Sequence, residues 1–211
     1  GERGFGRVTV SVRGEGGIVV PEGVTVSQQA SSLDLTNFDW RHLPGGASLA
    51  DAAPIGMLRP EERAARKPTA LSLGTTNGAI SIGAGAVVRT DIGGNLSLGA
   101  GGELGTITVA GRLDAPAGSI SLSGGKVTLQ AGGELLARGV PLTYLDNRGR
   151  QVGEVRDGGS VDIQAGEVQL EKGALIDVSG ATCEIDGVAD TGRTGTQLPK
   201  ATPKIRLDSD G

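Results

Sequence analysis

The stretch that decides the fold is Gly159-Ser160-Val161-Asp162-Ile163-Gln164-Ala165-Gly166-Glu167-Val168-Gln169-Leu170-Glu171-Lys172-Gly173-Ala174-Leu175-Ile176-Asp177-Val178-Ser179-Gly180. It holds three short aliphatic runs separated by Ala165-Gly166 and by Glu171-Lys172-Gly173. The first two alternate apolar and polar residues, which in a strand places the aliphatics on one face. Gaps of one to three residues are too short for a helical crossover and allow only a bend between successive sheets. A period of about 20 residues built from three such strands predicts an all-β protein, a parallel β-helix (β-solenoid) in which each strand pairs with its equivalent one coil later.

The same phrase, Gly, any residue, aliphatic, polar, aliphatic, starts at Gly78, Gly94, Gly105, Gly118, Gly125, Gly159 and Gly166. A second phrase falls between the copies, at Gly111-Arg112-Leu113-Asp114-Ala115, at Gly133-Glu134-Leu135-Leu136-Ala137 and at Gly173 onward. These predict solenoid strands over 1–27, 71–137 and 159–183, two non-repeating excursions at 28–70 and 138–158, and a polar loop with the start of a next strand over 184–211. A short helix is expected at Glu61-Glu62-Arg63-Ala64-Ala65-Arg66 behind Pro60, and a turn at Asp146-Asn147-Arg148-Gly149.

Composition agrees with a narrow tube. Gly numbers 38 of 211 residues, with only two Phe, one Trp and one Tyr, whereas Gly usage is ordinarily near 7%. Bends between narrow faces call for residues at φ > 0, which Gly adopts without the Cβ penalty. A ring inside would push apart coils spaced about 4.8 Å. Collagen is excluded, since no Gly-X-Y period exists and there are nine Pro.

A net charge of −4 offers no basic surface for nucleic acid. No apolar run approaches the roughly 20 residues of a membrane span, so membrane insertion is not expected. Cys183 stands alone, which leaves no intrachain disulfide and no thiolate metal cluster. The start, Gly1-Glu2-Arg3-Gly4, has neither an initiator Met nor the layout of a signal peptide and reads as an internal cut or processing site.

His42, the only histidine, has no nucleophile or second histidine at suggestive spacing and reads as a loop residue beside Trp40. Asp114, Asp162 and Asp177 are predicted on outward positions, where β-helix enzymes of acidic polysaccharides gather carboxylates, yet each stands singly among Ser, Thr and Gln. No catalytic residue, metal site or cofactor is assigned. The Gly-Gly pairs lack the Asp of calcium-binding β-rolls. Phe38, Trp40, His42 and Tyr144 lie in the excursions and are the candidate interaction surface, against the plainer role of pinning loops to the solenoid flank.

The run from Leu71 to Ala181 resembles the filamentous haemagglutinin-type large exoproteins of Gram-negative bacteria. The resemblance lies in phrases such as Gly94-Asn95-Leu96-Ser97-Leu98-Gly99-Ala100-Gly101-Gly102 and Gly173-Ala174-Leu175-Ile176-Asp177-Val178-Ser179-Gly180. It implies a right-handed parallel β-helix within a very long secreted adhesin, exported by an outer-membrane transporter in two-partner secretion. The implied location is extracellular or on the outer cell surface. The Asn-Pro-Asn-Gly type motif of that family's secretion domain does not occur in these 211 residues, so an interior shaft section is expected. The expected function is structural and adhesive rather than enzymatic, with self-association through the β-helix ends and a glycan or protein receptor as partners. The alternative is a carbohydrate-active β-helix, either a polysaccharide-binding module or a lyase or hydrolase.

Overall fold

The computed structural model describes residues 6–28, 31–33, 45, 58–60, 67–102, 105–186 and 204–208. Every regular element among them is a strand. In chain order these are β1 (Arg7–Val12), β2 (Ile18–Val20), β3 (Thr25–Ser27), β4 (Ser31–Leu33), β5 (Leu58–Pro60), β6 (Ala70–Thr75), β7 (Ile80–Ile82), β8 (Val87–Arg89), β9 (Asn95–Ala100) and β10 (Thr106–Val109). They continue as β11 (Arg112–Asp114), β12 (Ser119–Leu129), β13 (Glu134–Leu136), β14 (Val140–Leu145), β15 (Gln151–Arg156), β16 (Ser160–Leu170), β17 (Leu175–Asp177), β18 (Thr182–Asp186) and β19 (Lys204–Asp208). The protein is all-β, and its two larger sheets are wholly parallel. The helix expected at 61–66 lies outside the described residues.

The parallel strands form three columns. β1, β6, β9 and the first halves of β12 and β16 make the first; β2, β7, β10 and the second halves of β12 and β16 make the second. The third is β3, β8, β11, β13 and β17. Along the chain the columns are visited in the same order five times, giving five rungs. β12 runs through the bend between the first two columns and joins them into one eight-stranded sheet, and β16 follows it residue for residue on both sides of the bend.

Register carries the alternation predicted from sequence into files of like residues. Val8, Leu71, Leu96, Ile120 and Val161 share one file. Ile18, Ile80, Ile107, Val127 and Val168 share another. Val26, Val88, Leu113, Leu135 and Ile176 form a third. Apart from Val168 and Ile176, these files converge on one core of Leu, Ile, Val and Ala, with no ring among its described residues. The seven alternating phrases are seven of the ten strand positions of the first and second columns, and the second phrase supplies β11, β13 and β17 of the third.

Glycine has two separate tasks here. Between the second and third columns, Gly23, Gly85, Gly132 and Gly173 all take positive φ, from 67° to 94°. Each is the third residue of a turn closed by a hydrogen bond from its fourth residue, as in Val24 N–H to the Pro21 carbonyl at 3.3 Å and Ala174 N–H to that of Glu171 at 3.0 Å. A β-turn of this kind needs φ > 0 at that place. The glycines that open the alternating phrases behave differently, because Gly118 and Gly159 are not at positive φ. There the backbones of successive rungs nearly touch: a Cβ on Gly118 would lie 2.0 Å from the Gly94 carbonyl oxygen, and one on Gly159 would lie 1.7 Å from that of Gly118. Close approach, rather than φ, makes these positions glycine.

Among the described residues, the three antiparallel strand pairs leave from one corner, between the third column and the next visit to the first or, for the last pair, after the third column. β4 and β5 pair antiparallel between β3 and β6, β14 and β15 pair antiparallel between β13 and β16, and β18 follows β17 and pairs antiparallel with β19. Lys204–Asp208 thus forms a strand whose partner is Thr182–Asp186. No helix among the described residues is long and apolar enough to cross a membrane.

Candidate interaction surface

The decorated corner is, among the described residues, where strands stand outside the three columns. Val140, Leu142 and Tyr144 alternate along β14 opposite Arg156, Glu154 and Val152 of β15. Leu142 is buried, whereas Tyr144 and Leu145 are 53% and 71% exposed. An open pocket of about 520 Å³ lies against Leu142, Tyr144, Val152, Gly153 and Glu154. The β18–β19 hairpin packs beside this one, and the Gln151 N–H donates to Asp186 Oδ2 at 2.7 Å. The two hairpins therefore make a lateral lobe. Arg156 reaches back toward an earlier rung, where a Cβ built on Gly93 would stand 3.5 Å from its Nη1.

The lobe's tip is the predicted turn. Asp146 Oδ1 accepts the N–H groups of Arg148 and Arg150, each at 2.9 Å, and Oδ2 accepts Arg150 Nε at 2.8 Å. The Arg150 N–H, the Arg150 guanidinium and the Arg148 N–H favour the ionised carboxyl and hold its pKa down at about 2. Gly149 closes the turn at φ 72°, with its N–H donating to the Asp146 carbonyl at 2.9 Å.

Of the four candidate interaction residues, Tyr144 stands on this lobe, while Phe38, Trp40 and His42 lie outside the described residues. The three carboxylates weighed for catalysis do not meet. Asp162 faces out from the first column, and Asp114 and Asp177 share a third-column file with Leu136 between them. Asp114 is buried and takes Arg89 Nε at 2.9 Å and Nη2 at 2.5 Å. Asp177 accepts the Ser179 N–H at 2.9 Å, which with the Ser179 hydroxyl and Arg138 lowers its pKa. Arg89 with Asp114, Arg112 with Glu134, Lys126 with Glu167 and Arg138 with Asp177 each join one rung to the next. These carboxylates are engaged in stacking. Among the described residues no group of His, Cys, Asp and Glu is placed to hold a metal ion.

A second exposed apolar surface lies on the last rung, at one of the ends singled out in the sequence, whose residues the sequence did not name. Val168, Leu170 and Ile176 in the last rung share files with the buried Val127, Leu129 and Leu135, yet all three are exposed, as are Val178 and Leu175, the latter in the outward file of Arg112 and Glu134. Their sequence pattern matches that of buried rungs, because exposure here depends only on what stacks next. The chain matches no protein-family model, no curated protein and no solved structure.

Proposed function

We propose that the three columns are the faces of a right-handed parallel β-helix, and that the chain is a rigid shaft section of a large secreted surface exoprotein of the filamentous haemagglutinin type. The observation that carries this reading is the unbroken register of all three columns through five rungs. A stack of that kind is quasi-one-dimensional: each rung is stabilised by its neighbours, and length is added without changing cross-section. Its mechanism is geometric. The coils hold a recognition lobe at a fixed place on an elongated scaffold, outside the cell, after passage through an outer-membrane transporter.

On this reading the lobe binds a glycan or protein receptor through Tyr144, which stands exposed beside the open pocket, and through the exposed Leu145 on the opposite face of the same strand. The engagement of Asp114 by Arg89 and of Asp177 by the Ser179 N–H and Arg138, with Asp162 in another column, favours adhesion over a polysaccharide-cleaving reading, since acid and base work needs a pair of carboxylates flanking one bond. The test uses beads coated with the protein on epithelial cells and glycan arrays. Adhesion is expected, and is lost in a Tyr144→Ala, Leu145→Ser variant with an unchanged circular dichroism spectrum. Cleavage of an acidic polysaccharide, abolished by Asp162→Asn, would overturn the reading in favour of an enzyme.

A further inference from the structure

We infer that the open pocket on the β14–β15 hairpin is a site for one neutral hexopyranose ring of a glycan, with Tyr144 as the stacking wall and Glu154 as the acceptor of its hydroxyls; this rests on the reading of the lobe as a receptor-binding surface. Register decides which side chains meet. Val152 is opposite Tyr144 and Glu154 is opposite Leu142. Directly paired residues share a face of an antiparallel sheet, so the ring, the carboxylate and two aliphatics line one pocket. Gly153 lies between Val152 and Glu154. A Cβ there would stand 2.1 Å from the Leu142 carbonyl oxygen, and any side chain would prise the two strands apart.

The chemistry of the lining matches a sugar. Leu142 is buried at the base of the pocket, while Tyr144 and the Glu154 side chain are 53% and 63% exposed. A pyranose carries apolar C–H bonds on its faces and hydroxyls around its rim. The face suits an aromatic ring with a polar tip, and the rim suits a carboxylate, whose two oxygens accept several hydrogen bonds at once. Glu154 Oε1 takes Arg156 Nε at 3.3 Å, a single contact that leaves acceptor capacity on the carboxylate. The volume of about 520 Å³ falls within the ~300–1,000 Å³ of small-ligand sites. The wall is also held before a ligand arrives, which lowers the cost of binding: Asp146 ties the hairpin tip to Arg148 and Arg150, and the Gln151 N–H donates to Asp186.

Other occupants fit this lining less well. A protein partner buries about 800 Å² on each side around several large anchors, whereas Tyr144 is the one exposed large apolar side chain on this face of the hairpin among the described residues. A quaternary ammonium group calls for a cage of rings, and Tyr144 is the only ring among the described residues. An acidic sugar would bring its own carboxylate against Glu154, and none of the described lining residues is basic.

Tyr144 is the only tyrosine in the chain, so protein carrying isotope-labelled tyrosine gives one set of ring signals by NMR. The probes are the methyl glycosides of glucose, galactose and mannose, with methyl glucuronide as the acidic counterpart, each titrated to about 50 mM so that millimolar dissociation constants register. At least one neutral glycoside is expected to shift the Tyr144 ring signals to saturation, and methyl glucuronide to bind at least tenfold more weakly. Glu154→Gln, with an unchanged circular dichroism spectrum, is expected to weaken the neutral sugar at least tenfold, the scale of a hydrogen bond to a charged group. Ring signals that no neutral glycoside moves, in a protein whose bead adhesion still needs Tyr144, overturn the sugar site and leave the lobe as a protein-binding surface. Absence of both sugar binding and adhesion overturns the receptor-binding reading with it. Equal binding of methyl glucuronide, or indifference to Glu154→Gln, also overturns the site.

Discussion

Replacing leucine by alanine at two places in the stack separates an inner rung from an end rung. Leu122 sits in the middle of β12 with its file neighbours Leu98 and Ile163 on either side and is 1% exposed; Leu170 ends β16 and is 56% exposed. At Leu122 the truncation removes the equivalent of three methylene groups, about 2.4 kcal/mol at ~0.8 kcal/mol each. The walls of the void are backbone rungs fixed by hydrogen bonds on both sides, so collapse is incomplete and the total rises to about 3–4 kcal/mol. At Leu170 somewhat less than half of the transfer term applies and no closed cavity forms, which gives about 1 kcal/mol. Urea unfolding followed by circular dichroism, with hydrogen exchange to localise the loss, measures both at dilute protein concentration. The exchange data are needed because stacked repeats open from their ends. Equal costs at the two positions would refute the reasoning, since the end rung would then be sealed within the single chain.

Three further outcomes follow from local geometry. Ala117, at φ 50°, is the one non-glycine residue with positive φ among the described residues, in a turn closed by the Gly118 N–H donating to the Ala115 carbonyl at 2.9 Å; Ala117→Gly is expected to raise stability by about 1 kcal/mol in urea melts, removing the left-handed penalty at some cost in chain entropy. Gly159→Ala forces a Cβ into the Gly118 carbonyl and is expected to cost about 3 kcal/mol, with amide exchange accelerated first in β16; a melt within 0.5 kcal/mol of the parent, roughly the scatter of neutral surface changes, would show that the rungs are not in such close contact. The Asp146 pKa is depressed in the folded chain, so the turn's ionic stabilisation is complete above the ordinary Asp value and is lost as pH falls through about 2. An NMR titration of the Asp146 carboxyl that stays at the model-peptide value would contradict the network with Arg148 and Arg150.

The rungs were legible where chemistry is local. Alternation in Ser119-Ile120-Ser121-Leu122 or Val161-Asp162-Ile163 fixes which face is inside, and the short gaps fix parallel return. The third column was fainter, since Glu134-Leu135-Leu136 is three residues long and does not alternate, its second leucine being buried too. The β14–β15 hairpin was read as an excursion with a turn at Asp146, but not as paired strands. Val140, Leu142 and Tyr144 do alternate, and that signal, interrupted by Pro141, would have revealed it. The end surface carries no local mark. Leu170 and Leu129 stand in equivalent register and in like sequence, and only the presence or absence of a neighbouring rung tells them apart.

The three departures of the chain share one corner, and this gives the molecule a front. Five rungs advance the axis by about 24 Å at ~4.8 Å per rung, and the antiparallel strand pairs that leave between rungs emerge on the same edge rather than scattered around the circumference. Sequence added at that edge lengthens one side of the molecule and leaves the register of the three columns unbroken.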